Sequence, residues 1–317
     1  MSMFDANVTR RRFLETASVT AISATLAPRL FAAPGRSSKA ETATQEFYES
    51  LSSAQRDKIC FPFDHDLRKR ISANWHVTEL RINDDFYTDS QRGMIDKIVR
   101  GLTSEEGYER VVKQTEDDDG GLDFYSVALF GKPSEGNFEF ELTGRHLTLR
   151  ADGNSVDKAA FGGPIVYGHG EEDPNHNLYH YQTTQTNKVF DSLSTDQRKV
   201  ALLKDAPKED AVLIRKDKPQ FPGISVGELA EDQRQLVSET LKVLMAPYRE
   251  EDIAEVKEIV KNSGGLKELH MAFYQQGDLN TDKVWDIWRI EGPEFVWHFR
   301  GAPHVHAYIN IGSAFTA

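Results

Sequence analysis

Polar and apolar residues alternate strictly near the end of the chain, over residues 304–311. The odd positions from 305 onward are apolar, whereas the even positions carry His304, His306, Tyr308 and Asn310. Successive side chains of a β-strand point to opposite faces of the sheet. The pattern therefore predicts a strand with both histidines on one face, about 6–7 Å apart along the chain.

The remaining chain is divided into helical blocks and strand blocks. Apolar residues at helical spacing predict helices over residues 45–59, 89–112, 179–203 and 226–263, the last interrupted at Pro247. Alternating or short apolar runs predict strands over residues 122–130, 138–142, 284–290, 295–300 and 304–311. Segregated blocks with short Gly/Pro links between the last strands indicate an α+β fold, a single domain with one mainly antiparallel sheet.

The strand pattern over residues 138–142 changes parity just beyond Gly144. Leu147 and Leu149 fall on the opposite set of positions, which predicts a bulge near Gly144 that re-aims His146. Acidic runs at residues 116–119 and 171–173 are expected in loops between the elements.

One six-residue pattern recurs at four places where helices are expected to begin. The segments 51–56, 87–92, 193–198 and 229–234 all end in Gln-Arg, and the first three have Ser or Thr three residues before the Gln. That spacing is typical of a capping box, in which two side chains bond each other's backbone N–H groups. Because the intervals between the copies are unequal, we interpret them as recurrent helix-start chemistry and not as a repeat.

The N-terminus carries a pattern typical of export signals. Thr9-Arg10-Arg11-Arg12-Phe13-Leu14 resembles the twin-arginine consensus, and a weakly apolar run follows over residues 17–28. That run is too short and too polar to anchor in a bilayer. We expect a signal peptide over residues 1–33, a flexible linker over 34–45 and one domain over 46–317. The mature protein would be periplasmic or secreted by the twin-arginine export machinery, with no stable membrane span.

Composition limits what the histidines can do. The 317 residues are 39% hydrophobic and 28% charged, enough to bury a core, and the net charge of −12 argues against a nucleic-acid partner. The single Cys60 allows neither an internal disulfide nor a thiolate cluster. A transition-metal site must therefore use His, Asp, Glu or Tyr side chains.

The candidate metal ligands are His146, His304 and His306. Neutral imidazoles suit divalent transition metals such as Zn, Cu or Fe, and three of them leave one coordination position open. The alternative is that these histidines only line a polar cleft or bond core carbonyls. His298, on the preceding strand, is a weaker fourth candidate.

The other histidines are less specific. His169 and His176 belong to an acidic segment and are expected to be solvated, although with His180 and the nearby carboxylates they form a patch of possible ligands. His76 fits either a site residue or a core residue, and we expect His65 and His270 to be structural.

Two further patterns suggest chemistry without a metal. Gly223-Ile224-Ser225-Val226-Gly227 matches a hydrolase nucleophile motif, but the two prolines before it do not suit the strand that such a motif requires. Ser225 with Glu228 also fits a helix cap. The tryptophans at 285, 288 and 297 either stack on a flat ligand or belong to the core.

Several segments together resemble a bacterial family called domain of unknown function 3500. They are residues 75–76, 125–133, 142–147, 161–164, 193–198, 289–293 and 304–306. The resemblance covers about residues 46–313. It implies that nearly all of the mature chain is one domain and that His146, His304 and His306 are shared with relatives, and it implies no activity.

This sequence departs from the family pattern at two places. The family pattern resembles Gly-His-His-Leu where this chain has Gly144-Arg145-His146-Leu147, so Arg145 replaces the first histidine and only the second is kept. Residues 308–312 stand where relatives have an acidic ending. Together the features predict an exported, metal-binding protein, a metal-dependent oxidoreductase or hydrolase with a small-molecule substrate. A non-catalytic periplasmic binding or accessory protein is the alternative, and a serine hydrolase that uses Ser225 is the second alternative.

Overall fold

One mixed sheet organises the protein. The computed structural model describes residues 32–215 and 220–316, so the predicted export signal lies outside the described residues. The strands are β1 (Cys60–Phe61), β2 (Ser126–Gly131), β3 (Phe138–Gly144), β4 (Leu147–Ala151), β5 (Ile165–His169), β6 (Leu202–Leu203), β7 (Ile224–Ser225), β8 (His270–Tyr274), β9 (Ile287–Gly292), β10 (Phe295–Arg300) and β11 (Val305–Ile311). Most neighbours pair antiparallel, which confirms the predicted α+β class.

Eight α-helices accompany the sheet in the described part of the chain. They are α1 (Lys39–Ser50), α2 (Ser53–Ile59), α3 (Asp89–Leu102), α4 (Glu105–Asp119), α5 (His180–Ser192), α6 (Thr195–Ala201), α7 (Glu231–Met245) and α8 (Glu250–Asn262). None of these helices combines the length and the apolar character that crossing a membrane requires.

Two sequence expectations about loops need correction. Helix α1 begins at Lys39, and its Ala40 and Glu41 are fully buried, so the flexible linker predicted for residues 34–45 is wrong from Lys39 onward. The acidic run at 116–119 forms the last turn of α4 and is not a loop. Each segment is polar, yet each carries a carboxylate side chain that tertiary contacts bury, Glu41 in the first and Asp118 in the second.

From each edge of the sheet to its centre, the strands follow one another in chain order. Neighbours follow the order β1-β2-β3-β4-β5-β11-β10-β9-β8-β6, and β7 pairs with β8 off this path. The central pair β5–β11 is antiparallel, and each edge ends in a parallel pair, β1–β2 or β6–β8. Each half of the described chain contributes two helices, a two-residue strand, two more helices and four strands, and the second half also contains β7. The fold is therefore an internal duplication around the β5–β11 pair.

The recurrent helix-start pattern marks equivalent positions in the two halves. Gln55 Nε2 donates to Gln91 Oε1 at 3.0 Å, and Gln197 Nε2 donates to Gln233 Oε1 at 3.1 Å, with 36 residues between partners in each case. The first three capping boxes are confirmed. The two copies within each half are 36 positions apart, and only the interval from Gln91 to Gln197, which joins the two halves, differs. The interpretation that excluded a repeat is therefore wrong.

The two faces of the sheet are buried by different material. Trp288, Trp297 and Phe299 pack beneath the helices, so these aromatic residues belong to the core and are closed to a stacking ligand. The opposite face carries polar side chains and is covered by loops. Asn310 Nδ2, for example, donates to Val212 O at 2.9 Å. A connector crossing this face therefore meets the polar side of β11.

Candidate metal centre

The three histidines predicted as ligands lie together. One ligand-capable nitrogen from each of His146, His304 and His306 lies within 4.8 Å of the others. Their ring centroids are 4.8–5.1 Å apart. This is the one group of three such side chains with metal-binding separations among the residues described. Three imidazoles at these separations, with His146 buried and the other two half-buried, can hold a metal ion.

His146 is positioned by a tight hairpin turn. Gly144 pairs with Leu147, so Arg145 and His146 alone join β3 to β4. The change of parity in the sequence comes from this reversal of the chain, and the predicted bulge is wrong.

The backbone of His146 is held in a left-handed conformation, with φ at 57°. Such a conformation costs a non-glycine residue about 1–3 kcal/mol, so the surroundings must impose it. The amide of His146 donates to Ala73 O at 2.6 Å, and its carbonyl accepts a hydrogen bond from Gln114 Nε2 at 3.0 Å. These bonds fix the direction in which the imidazole leaves the turn.

His304 and His306 belong to the start of β11. His306 sits between Arg300 of β10 and Gly168 of β5, and His304 immediately precedes the strand. A side chain at position 168 would collide with Val305 O and crowd His146 Cβ, so glycine is required where the two parts of the site meet. The Nε2 atoms of His304 and His306 are 3.0 Å apart.

Two carboxylates bind the outer nitrogens of the imidazoles. His146 Nδ1 lies 2.8 Å from Asp118 Oδ2, and His306 Nδ1 lies 3.0 Å from Glu209 Oε1. An ionised carboxylate can only accept a hydrogen bond, so each Nδ1 carries the hydrogen and each Nε2 keeps its lone pair. Carboxylates in this position orient metal-binding histidines and raise their basicity.

Sequence reasoning missed both carboxylates. Asp118 lies in the last turn of α4, where its Oδ1 also accepts from Gly170 N at 2.8 Å. The signal for it was the pair Gly120-Gly121, which marks a helix end just after the acidic run. Glu209 comes from the connector between β6 and β7 and also pairs with Arg300, Oε2 to Nε, at 2.7 Å. No local pattern links Glu209 to β11.

The surroundings of His304 and His306 lower the pKa of both imidazoles. Burial, with the neighbouring His306 and His146, lowers the pKa of His304 to about 4. Burial also lowers the pKa of His306, against the opposing effect of its hydrogen bond to Glu209. Burial alone would raise the pKa of Glu209, but the bond from His306 and the charge of Arg300 hold it below its ordinary value. Neutral imidazoles beside an ionised carboxylate are the state that ligation requires.

The remaining histidines do not join the group. His298 is buried on β10 between Arg289 and Tyr308. His169 is only 2% exposed, so the expectation that it is solvated is wrong. Its Nδ1 accepts from Leu178 N at 3.2 Å, which makes it a structural residue at the end of β5. His176 is exposed, as expected.

Ser225 does not have the geometry of a hydrolase nucleophile. Ser225 is the second residue of the two-residue strand β7, and a 3-10 turn, Val226–Glu228, follows. Its Oγ accepts from Gly227 N at 3.1 Å and donates to Lys267 O at 3.3 Å. The hydroxyl therefore caps the turn, which favours the capping interpretation over the catalytic one.

A cleft adjoins the histidine group. Its volume is about 890 Å³, and Asp118 and Arg145 line it together with other charged side chains, including Lys113, Glu171 and Glu172. Asp118 thus contacts both the cleft and His146. A small polar molecule fits a space of this size, which is connected to the histidine group through the bond between Asp118 and His146.

Comparison with known proteins gives one match. A family described as "Protein of unknown function (DUF3500)" matches residues 35–310, a range that includes all three histidines and both carboxylates. No curated protein and no solved structure matches this chain.

Proposed function

We propose that this chain, which belongs to the DUF3500 family, binds one transition-metal ion through His146, His304 and His306. The observation that supports this proposal most strongly is the pair of outer hydrogen bonds to Asp118 and Glu209. They leave Nε2 of two imidazoles as lone-pair donors directed at a common space. A free lone pair on a neutral imidazole is what metal ligation requires.

The distances suit a metal after a small adjustment. Two nitrogens that bind one metal ion at about 2.1 Å each, with a nitrogen–metal–nitrogen angle of about 90–109°, lie about 3.0–3.4 Å apart. The His304–His306 separation of 3.0 Å already falls in that range. The largest separation in the group, 4.8 Å, closes by rotation of the side chains toward the ion.

The proposed site favours catalysis over a structural role. Closed structural zinc sites use four protein ligands, whereas three histidines leave a position for water or substrate. His304 and His306 are only half-buried, which gives that position access to solvent. We therefore favour a metal-dependent hydrolase or oxidoreductase, and a non-catalytic accessory protein is the competing function.

Metal analysis of the purified protein tests the proposal. After removal of metal and reloading with Zn²⁺, we expect one ion per chain, lost in His304→Ala and His306→Ala and kept in the control His176→Ala. Circular dichroism verifies that each variant is folded. The proposal would be overturned if the wild type does not retain stoichiometric zinc. It would also be overturned if a folded variant that carries both His304→Ala and His306→Ala retains the zinc.

A further inference from the structure

We infer that the metal centre receives a carboxylate-bearing polar molecule, whose negative group lies between the metal position and the guanidinium of Arg145. This inference rests on the metal binding proposed above and assigns the class of ligand. It begins from the position of Arg145 in the same two-residue turn as His146.

The backbone of Arg145 is firmly anchored. Its carbonyl accepts a hydrogen bond from the Tyr125 hydroxyl at 2.6 Å, and the residue forms an isolated bridge with Asn74. The side chain is half-buried, and its closest polar contact is a long one, from Nη1 to Asp118 O at 3.4 Å. Within the described part of the chain the guanidinium forms no ion pair. A cation held in place without a carboxylate is suited to an anionic ligand.

Arg145 and His146 border the same small space. A methyl group added to Gly170 would lie 3.1 Å from Arg145 Nη2 and 3.4 Å from His146 Cε1. The imidazole edge that leads to Nε2 therefore lies near the guanidinium. Asp118 Oδ1, which accepts from Gly170 N and would lie 2.8 Å from the added methyl group, borders the same space. The absence of a side chain at position 170 keeps this space open to the cleft.

The charge around the site favours an anion at this point. Among the described residues, Arg300 is paired with Glu209, whereas Arg145 forms no ion pair. A carboxylate has two oxygens, and it can place one on a metal and the other on a guanidinium.

The charged side chains that line the cleft limit the chemical groups that the rest of the ligand can carry. Lys113 is paired with Asp117, and Glu171 and Glu172 add negative charge along the same lining. Further negative groups on the ligand would therefore be repelled. A small molecule with one carboxylate and otherwise hydroxyl or amino groups fits this lining.

Cobalt substitution gives a direct test. Co²⁺ in the full-length protein reports its ligands through its visible absorption, and acetate is the carboxylate probe, with acetamide as its neutral counterpart. We expect acetate to change the spectrum saturably and acetamide to have no effect. Arg145→Gln should weaken acetate binding about tenfold or more, because a charge-assisted contact is lost. Arg145→Lys should recover part of the affinity, and the control Lys97→Gln, at an exposed lysine outside the cleft, should leave it unchanged.

The possible failures are distinguishable. If wild-type protein does not bind Co²⁺ or Zn²⁺, the proposed metal binding itself fails. If cobalt binds but acetate has equal affinity for wild type and for Arg145→Gln, the metal site stands and the role of Arg145 is wrong. Equal binding of acetamide and acetate would also overturn the assignment of a carboxylate.

Discussion

The imidazole Nδ1 of His306 lies 3.0 Å from Oε1 of Glu209, although 97 residues separate the two in the chain. Glu209 reaches this position because the connector between β6 and β7 crosses the polar face of the sheet. The contact fixes the tautomer of His306 and directs its Nε2 toward His146 and His304.

Replacement of Glu209 should weaken metal binding without removing a ligand. Glu209→Gln keeps the size of the side chain but loses the charge that orients His306 and strengthens its donation. Loss of such an outer partner typically costs 10–100-fold in metal affinity. Zinc affinity from chelator competition measures the effect, and Glu172→Gln, in the adjoining cleft, is the control. Equal affinities for Glu209→Gln and wild type would contradict an orienting role.

Helix α1 should be essential to the stability of the domain. Arg249 donates to both oxygens of Glu41, each bond being 2.8 Å, and the Glu41 side chain is fully buried. Breaking a buried ion pair by removing one partner costs about 3–5 kcal/mol, and here the Arg249 charge stays buried with Asp252 as its remaining partner. We expect that loss in the free energy of unfolding of Glu41→Ala, measured with urea.

Glu46→Ala is the matched control for this measurement. Glu46 is on the same helix, but its side chain is 51% exposed. Its Oε2 forms a long pair with Lys97 Nζ, at 3.9 Å. An exposed pair of this kind contributes little, so the variant should differ from wild type by less than about 1 kcal/mol. Similar losses in the two variants would show that the Glu41–Arg249 pair is not what holds α1.

Acid should destabilise the fold through His298. Burial and the positive charge of Arg289 and Arg300 lower the pKa of His298 from 6.5 to about 3, against the opposing effect of Glu209. Because the folded pKa lies below the unfolded pKa, the unfolded chain takes up the proton first as pH falls. This contribution to stability is present above pH 6.5 and is lost progressively toward pH 3, by up to about 1.4 kcal/mol per pH unit.

Urea unfolding of the metal-free protein at pH 7 and pH 5 measures this effect. We compare wild type with His298→Leu, which removes the titrating group. The variant should lose less stability on acidification than wild type does, by up to about 2 kcal/mol over this interval. Parallel losses in the two proteins would mean that His298 is not responsible.

Export by the twin-arginine pathway remains a prediction from the sequence. Arg10→Lys with Arg11→Lys keeps the positive charge while it removes the paired guanidinium groups. In a host with that pathway, we expect the wild-type protein outside the cytoplasm and shortened by processing. The double variant should accumulate inside at full length, as detected by fractionation and mass spectrometry. Unimpaired export of the variant would rule this route out.

The sequence alone determined much about the individual elements. Alternation over residues 304–311 predicted β11 and the shared face of its two histidines, because side-chain direction in a strand depends only on residue number. The capping boxes at Ser52, Thr88 and Ser194 were readable for the same reason, since their contacts span three residues. The α+β class followed from the segregation of helical and strand patterns.

Only the tertiary structure decided which elements meet. The duplication was hidden because it relates distant parts of the chain, and the equivalent glutamine pairs appear only when the helices are packed. Asp118 and Glu209 joined the site in the same way, one through the end of α4 and the other through a connector folded over β11. Local spacing specifies where a side chain points, whereas a binding site depends on side chains brought together by packing, which no local pattern encodes.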